Sequence, residues 1–446
     1  MSAAGDPAGR RLLARANPAS ERLPPTSHPV ESHSPVDPMS ANPTDRRRFL
    51  ALAAAGLLAP NLLAAPATAA VRLLAARPGR QVGAPLLVLV QLSGGNDGLN
   101  TLVPYRQDAY RRLRPRLALP EGELLRLEGD LALHPALQRI HARCQAGQAG
   151  WIAGVGYPSA NRSHFKSMEI WHAADERGRA AGPGWVARLI GALHGDAARA
   201  TRLVHVGRQL PYSLYSARHP AIAFPTPEFY RRAGEAPPEP DPMEPEGDGS
   251  KSNLDYLREV VRDANASSRE VQRAAARYRP RVEYPNDELA RALSVAAALI
   301  DARLGAEVIS VELSGFDTHN GQLARHATQL ERLDGALGAF LDDLEGHPGA
   351  QNLLVVAFSE FGRRAAENGS GGTDHGTAGP VLLAGPRAKP GLHGAYPSLD
   401  ELDERGDLLF STDFRRLYGA IAQDLFGARP DAVVGPGFAP LRCVKA

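Results

Sequence analysis

Short apolar runs alternate with longer stretches of helical spacing along most of this chain. Leu86–Leu92, Gly150–Val155, Thr201–Val206, Val308–Leu313, Leu353–Phe358 and Pro380–Ala384 read as strands. The nearly continuous apolarity of Leu86–Leu92 predicts burial on both faces of a sheet. Between and after them, His134–Cys144, a stretch ending at Trp171, Glu288–Leu304, Leu323–Leu344 and Phe414–Phe426 carry apolar residues at helical spacing. Strands separated by helices of this length predict βαβ units, and so an α/β fold with a mainly parallel sheet flanked by helices on both faces.

The pattern breaks twice. Glu235–Asn253 is dense in Pro, Glu, Asp, Gly and Ser and reads as a surface loop or linker. Leu254–Tyr278 beyond it reads as an amphipathic helix. The region around 208–285 is therefore expected as an insertion or cap on a single core domain spanning 70–446. The second break is at the front. Arg46-Arg47-Arg48-Phe49-Leu50 opens an alanine- and leucine-rich run that reaches Ala65, and Ala67-Thr68-Ala69 closes it with a small-x-small pattern. A basic start, a short apolar stretch and a small-residue cleavage site make a secretory signal over 39–69, too short and interrupted for a membrane span. The arginine pair followed by Phe-Leu has the form of a twin-arginine signal, which implies the twin-arginine translocase as a partner and a periplasmic or secreted mature chain. Residues 1–38, rich in Pro, Ser, Ala and Arg, are expected to be a mis-annotated or disordered extension, with Met39 as the true start.

The net charge of +2 carries no nucleic-acid footprint. Two cysteines are too few for a disulfide framework, and one bridge between them is possible but not implied.

Chemistry gathers at the ends of the apolar runs. Asp97 lies in Ser93-Gly94-Gly95-Asn96-Asp97-Gly98, where glycines would let backbone and an ion approach, although Asn-Asp-Gly is also good turn chemistry. Ser163, in Asn161-Arg162-Ser163-His164, precedes a helix and is either its N-cap or a nucleophile. Asp317 and His319 share the loop Phe316-Asp317-Thr318-His319. Glu360 and Arg363 follow Phe358, and Asp374-His375 sits among glycines. Carboxylates and imidazoles at strand ends are the raw material of a divalent-metal site, and open α/β sheets bind ligands beyond the carboxyl ends of their strands. A salt bridge from Glu360 to Arg363 or Arg364 is the competing reading there.

Taken together, Leu92–Thr101, Asn161–Phe165, Phe316–His319, Ser359–Arg363 and Gly372–Gly376 resemble, in order, the hallmark motifs of the domain-of-unknown-function family 1501. The resemblance covers about residues 85–430. It implies an alkaline-phosphatase-like fold, since that family is grouped with the alkaline phosphatase and sulfatase superfamily, and it fits the twin-arginine signal. Laid on this chain, the superfamily pattern makes Ser163 the nucleophile and Asp97, Asp317, His319, Glu360, Asp374 and His375 the ligands of one or two divalent ions, Zn, Mn, Ca or Mg. His326 is the alternative to His319. Asn96, Asn100, Arg162, His164 and Lys166 become candidates for substrate binding. One departure stands out: where the superfamily has Asp-His after a late strand, this chain has Glu360-Phe361. The expectation is an exported metal-dependent hydrolase of phosphate or sulfate esters acting on a small ester or glycan. The alternative is a non-catalytic exported binding protein on the same fold.

Overall fold

The structure, a computed structural model, describes residues 82–178, 182–197, 199–227 and 269–445. The expected extension and signal lie outside the described residues, as do Glu235–Asn253 and most of Leu254–Tyr278.

Nine strands form one sheet: β1 (Leu86–Ser93), β5 (Ala149–Gly156), β6 (Leu203–Val206), β7 (Ile222–Phe224), β8 (Val308–Ser314), β9 (Leu353–Phe358), β10 (Gly379–Ala384), β11 (Gly391–His393) and β12 (Thr412–Asp413). A small separate sheet holds β2 (Leu102–Val103), β3 (Leu125–Arg126) and β4 (Ala132–Leu133), which no apolar run had signalled. The large sheet runs β11-β5-β10-β9-β1-β8-β6-β7, with β12 also pairing β5. The pairs β9-β1-β8-β6-β7 are parallel, and β10 alone runs antiparallel to both its neighbours, β5 and β9. The sheet is thus mixed but mostly parallel, as the alternation of runs predicts.

Strand side chains alternate between two cores. Leu86, Val88, Val90 and Leu92 of β1 pack on one face with Ile309, Val311 and Leu313, beneath the helices Glu288–Asp301 and Gln322–Asp343. Leu87 and Leu89 point to the other face, where Ile170 and Trp171 of the helix His164–Ala173 meet Trp185 and Phe414. Burying both faces explains why β1 and β9 read as nearly continuous apolar runs.

Two sequence readings change. The stretch taken as an insertion sends Ile222–Phe224 into the sheet, parallel to β6. Three residues are too few for a visible apolar run. The closing helix is α-helical over Phe414–Ala420 and then widens to a π-helix over Ile421–Leu425. Cys144 and Cys443 are both free. Among the described residues no helix is long and apolar enough to cross a membrane.

Candidate metal centre

The loops after β1, β8 and β9 converge at one end of the sheet and close on each other through backbone. Gly94 has φ +120°, a conformation open to glycine, and a β-carbon there would collide with the Asp317 amide. A β-carbon at Gly372 would strike the backbone of His319. The sequence folds these loops tightly because it places glycine at the contact points.

Arg363 ties the loops together and has no exposed side-chain surface. Its guanidinium donates to the carbonyls of Gly94, Gly95 (2.7 Å), Phe316 (3.0 Å) and Thr373 (2.9 Å) and to Asp317 Oδ1 (2.6 Å). A planar fork with a fixed charge suits this task better than a lysine would.

Three imidazoles meet on Asp317. Oδ1 lies 3.1 Å from His319 Nε2, 3.1 Å from His375 Nε2 and 3.6 Å from His164 Nε2. Each ring is held from behind through Nδ1. His164 bonds Glu360 Oε1 (2.7 Å), His319 bonds Asp374 Oδ1 (3.1 Å), and His375 bonds the Arg162 carbonyl (2.9 Å). Carboxylates and carbonyls only accept, so with a cation at the centre Nδ1 would carry the proton in each neutral ring and Nε2 would turn a lone pair to the ion. His164 Nε2 is buried without a hydrogen-bond partner. His319 Nε2 and His375 Nε2 face each other at 2.9 Å. Lone pairs so close repel unless a cation or a proton lies between them. Ligand atoms of His164, Asp317 and His375 all lie within 4.8 Å of one another. In a tetrahedral zinc site, bonds of about 2.0–2.1 Å put neighbouring ligand atoms roughly 3.3 Å apart, close to these spacings. The residues present therefore fit a divalent ion, with Glu360 and Asp374 orienting the ligands from behind.

Charge balance supports the same picture. Burial pushes the Asp317 carboxyl up, but the Arg363 guanidinium and, without an ion at the centre, a proton on His375 Nε2 outweigh that and hold it down at about 2. Burial lowers His375, which keeps it neutral. The Glu360 bond raises His164.

Several expected site residues do other work. Asp97 is fully buried, with Oδ2 taken by Arg114 (2.6 Å) and Gln322 and Oδ1 capping the Leu99 amide (3.2 Å). Its carboxylate neutralises an arginine and lies outside the imidazole group, which corrects its reading as a ligand. Asn100 accepts from Arg114 and Tyr110 and donates to the Leu117 carbonyl. Asn96 accepts from Thr101, and its Oδ1 lies 2.9 Å from His326 Nε2. Both asparagines are buried structural groups, not substrate contacts. His326 is buried with them, away from the imidazole group on Asp317. Glu360 spends one oxygen on Ser359 and the other on His164 and the Gly94 amide, so it holds the His164 ring in place. Arg162 is tied to Asp407, and Lys166 lies on the surface 3.7 Å from Glu169.

Ser163 has the backbone of an N-cap, since its carbonyl accepts from the Ser167 amide (2.8 Å), but its hydroxyl makes no capping bond. It stands immediately before His164. Two participants were missed or misplaced in the sequence. His164 was read as a substrate contact, and Arg363 only as a counter-ion for Glu360. The one available signal was their place inside the motifs.

Several solved structures match the chain loosely. The zinc complex of the C-terminal periplasmic domain of EcEptC from Escherichia coli is 9% identical over 69% of this chain and 74% of that chain, with a TM-score of 0.32. A putative sulfatase from Bacteroides thetaiotaomicron is 11% identical over 68% and 65%, with a TM-score of 0.32. The TAB5 alkaline phosphatase, a mutant with Mg bound, is 12% identical over 70% and 95%, with a TM-score of 0.31. Likenesses this loose say nothing about chemistry. No curated protein matches the chain. One family pattern does, over residues 84–407: the chain belongs to the family described as protein of unknown function, DUF1501.

Proposed function

We propose that this chain is an exported, metal-dependent hydrolase of phosphate or sulfate esters. The observation that carries the reading is the convergence of three imidazole Nε2 atoms on Asp317 Oδ1, each ring fixed through Nδ1. His164, His319, His375 and Asp317 would hold the ion. A bound divalent ion would supply Lewis acidity toward an ester oxygen and favour an ionised nucleophile nearby. Ser163 Oγ, at the N-terminus of the helix His164–Ala173 where the dipole favours negative charge, would bond to the phosphorus or sulfur centre and expel the ester's alcohol, which takes up the serine proton. Water would then release phosphate or sulfate and restore the serine. Buried Arg363 would keep Asp317 ionised and the loops in register. Export would follow from the Arg46-Arg47 pair, and changing both to Lys should strand precursor in the cytoplasm.

The test is metal analysis of protein purified without added ions, followed by a panel of phosphate and sulfate mono- and diesters. A metal-loaded protein inactive on the whole panel would shift the reading to a non-catalytic binding protein. One observation favours that rival: Asp97, the expected ligand of a second ion, is locked on Arg114.

A further inference from the structure

A cleft of about 580 Å³ runs from the metal centre along the sheet. His164, Asp317 and Glu360 line one end, and Gln91, His205, Ser310 and Glu312 line the other. The far end lies on the sheet face that carries Leu87 and Leu89. On that face the strands are apolar in their first halves and polar in their second. Gln91 pairs in register with Glu312, and His205 with Ser310. The opposite face stays apolar over the same rungs, with Val206, Val311 and Leu92 in its core. Within this polar strip Ser310 and His205 are buried and need partners, while Glu312 is exposed to the cleft.

Its partners are incomplete. Gln91 is spent internally: its amide nitrogen donates to Ser93 Oγ (2.8 Å), and its oxygen meets His172 Nε2 (2.8 Å). His205 is 3% exposed, and its Nδ1 has no hydrogen-bond partner. Burial lowers His205 to about 4, so the ring is neutral. Glu312 accepts from Ser314 Oγ at 3.3 Å, and among the described residues no cationic side chain pairs with it. The cleft's other carboxylates have counter-groups: Asp317 has Arg363, Glu360 has His164, and Glu169 has Lys166 at 3.7 Å. No lysine or arginine lines the cleft among the described residues. The far end thus offers a neutral buried imidazole, a hydroxyl and an exposed carboxylate that no cationic side chain among the described residues pairs with. Such a set repels anions. It suits a group rich in N–H donors and carrying positive charge.

We propose that this end of the cleft binds a primary ammonium group, with Glu312 as its counter-ion and His205 and Ser310 as flanking polar contacts. Joined to the ester reading above, on which the position of the anionic end rests, this makes the substrate class a zwitterionic ester. Its phosphate or sulfate lies at the metal centre, and an amine is carried by its alcohol part.

The probes are ω-aminoalkylphosphonates of two to five carbons against alkylphosphonates of the same length. The phosphorus–carbon bond keeps them intact. Binding is measured calorimetrically on the metal-loaded mature chain at low and high salt. At low salt the best amine probe should bind about tenfold tighter than its amine-free partner, about 1.4 kcal/mol. Glu312→Gln should erase that difference, and salt should shrink it. Metal content, measured alongside, controls for folding. Equal or weaker binding of every amine probe by wild type, or a preference that survives Glu312→Gln, overturns the subsite. If no phosphonate binds at all, the ester reading falls. Propylamine alone, followed by the NMR signals of His205, then decides the subsite: Glu312-dependent shifts keep it, and no shift removes it.

Discussion

Asp97 and Arg114 meet at 2.6 Å, and neither side chain has any exposed surface. The guanidinium also holds the carbonyls of Ala365 (2.9 Å) and Arg364 (2.8 Å), so one ion pair joins the loop after β1 to the loop after β9. Removing one partner leaves the other charged and buried, at a cost of about 3–5 kcal/mol. Asp97→Ala should therefore lower the unfolding free energy by that order in denaturant titrations. Its metal content, where folded, should persist. Unchanged stability together with lost metal would restore Asp97 as a ligand.

Metal binding should depend on the imidazole group. Alanine at Asp317 or His375 should remove most bound divalent ion, read by elemental analysis after desalting. Glu360→Gln keeps a partner for His164 Nδ1 but weakens its hold, so affinity should fall roughly 10–100-fold. Stoichiometric metal in all three variants would exclude the centre.

Ser163 is expected to matter for turnover and not for folding. Its hydroxyl makes no capping bond, so Ser163→Ala should change stability by no more than about 0.5 kcal/mol. Ester hydrolysis should drop by several orders of magnitude. Equal rates in wild type and variant would dismiss it as the nucleophile.

Acid should destabilise the metal-free chain. Burial lowers His134 and His205 to about 4 and His326 to about 3, against an ordinary 6.5. The unfolded chain binds these protons first. Their contribution is whole above pH 6.5 and is lost as pH falls through about 4 and about 3. His164, raised by Glu360, has the opposite sign: its contribution is present below 6.5 and lost as pH rises past its folded value. His375, also lowered by burial, acts with the three, and together they outweigh His164. Melting temperature should fall steadily from pH 7 to pH 4, and His326→Gln should flatten that slope. A melting temperature independent of pH would mean the three rings are hydrated.

Strands buried on both faces were legible because burial writes a nearly continuous apolar run, as at Leu86–Leu92 and Leu353–Phe358. Ile222–Phe224 was not, since three edge residues leave no pattern. In the site, Asp317, His319 and His375 stood out as acids and imidazoles among glycines, and the structure brings them together. Asp97 looked the same in sequence. What separates it is Arg114 and Gln322, and nothing in the local pattern says that a guanidinium from another loop will reach it. For the same reason Glu360 and His164 each looked like an independent contact, although they act as a bonded pair.

The bonds that draw the loops together join residues very distant in the chain. Gly94 reaches Glu360 across 266 positions, and Gly95 reaches Arg363 across 268. Closing such spans comes late in folding. The ligand set therefore cannot assemble while the second half of the chain is still on the ribosome. A chain that leaves the cell already folded would complete this set in the cytoplasm. The supply of ions on that side of the membrane, and not the one where the protein works, would then decide which metal it carries.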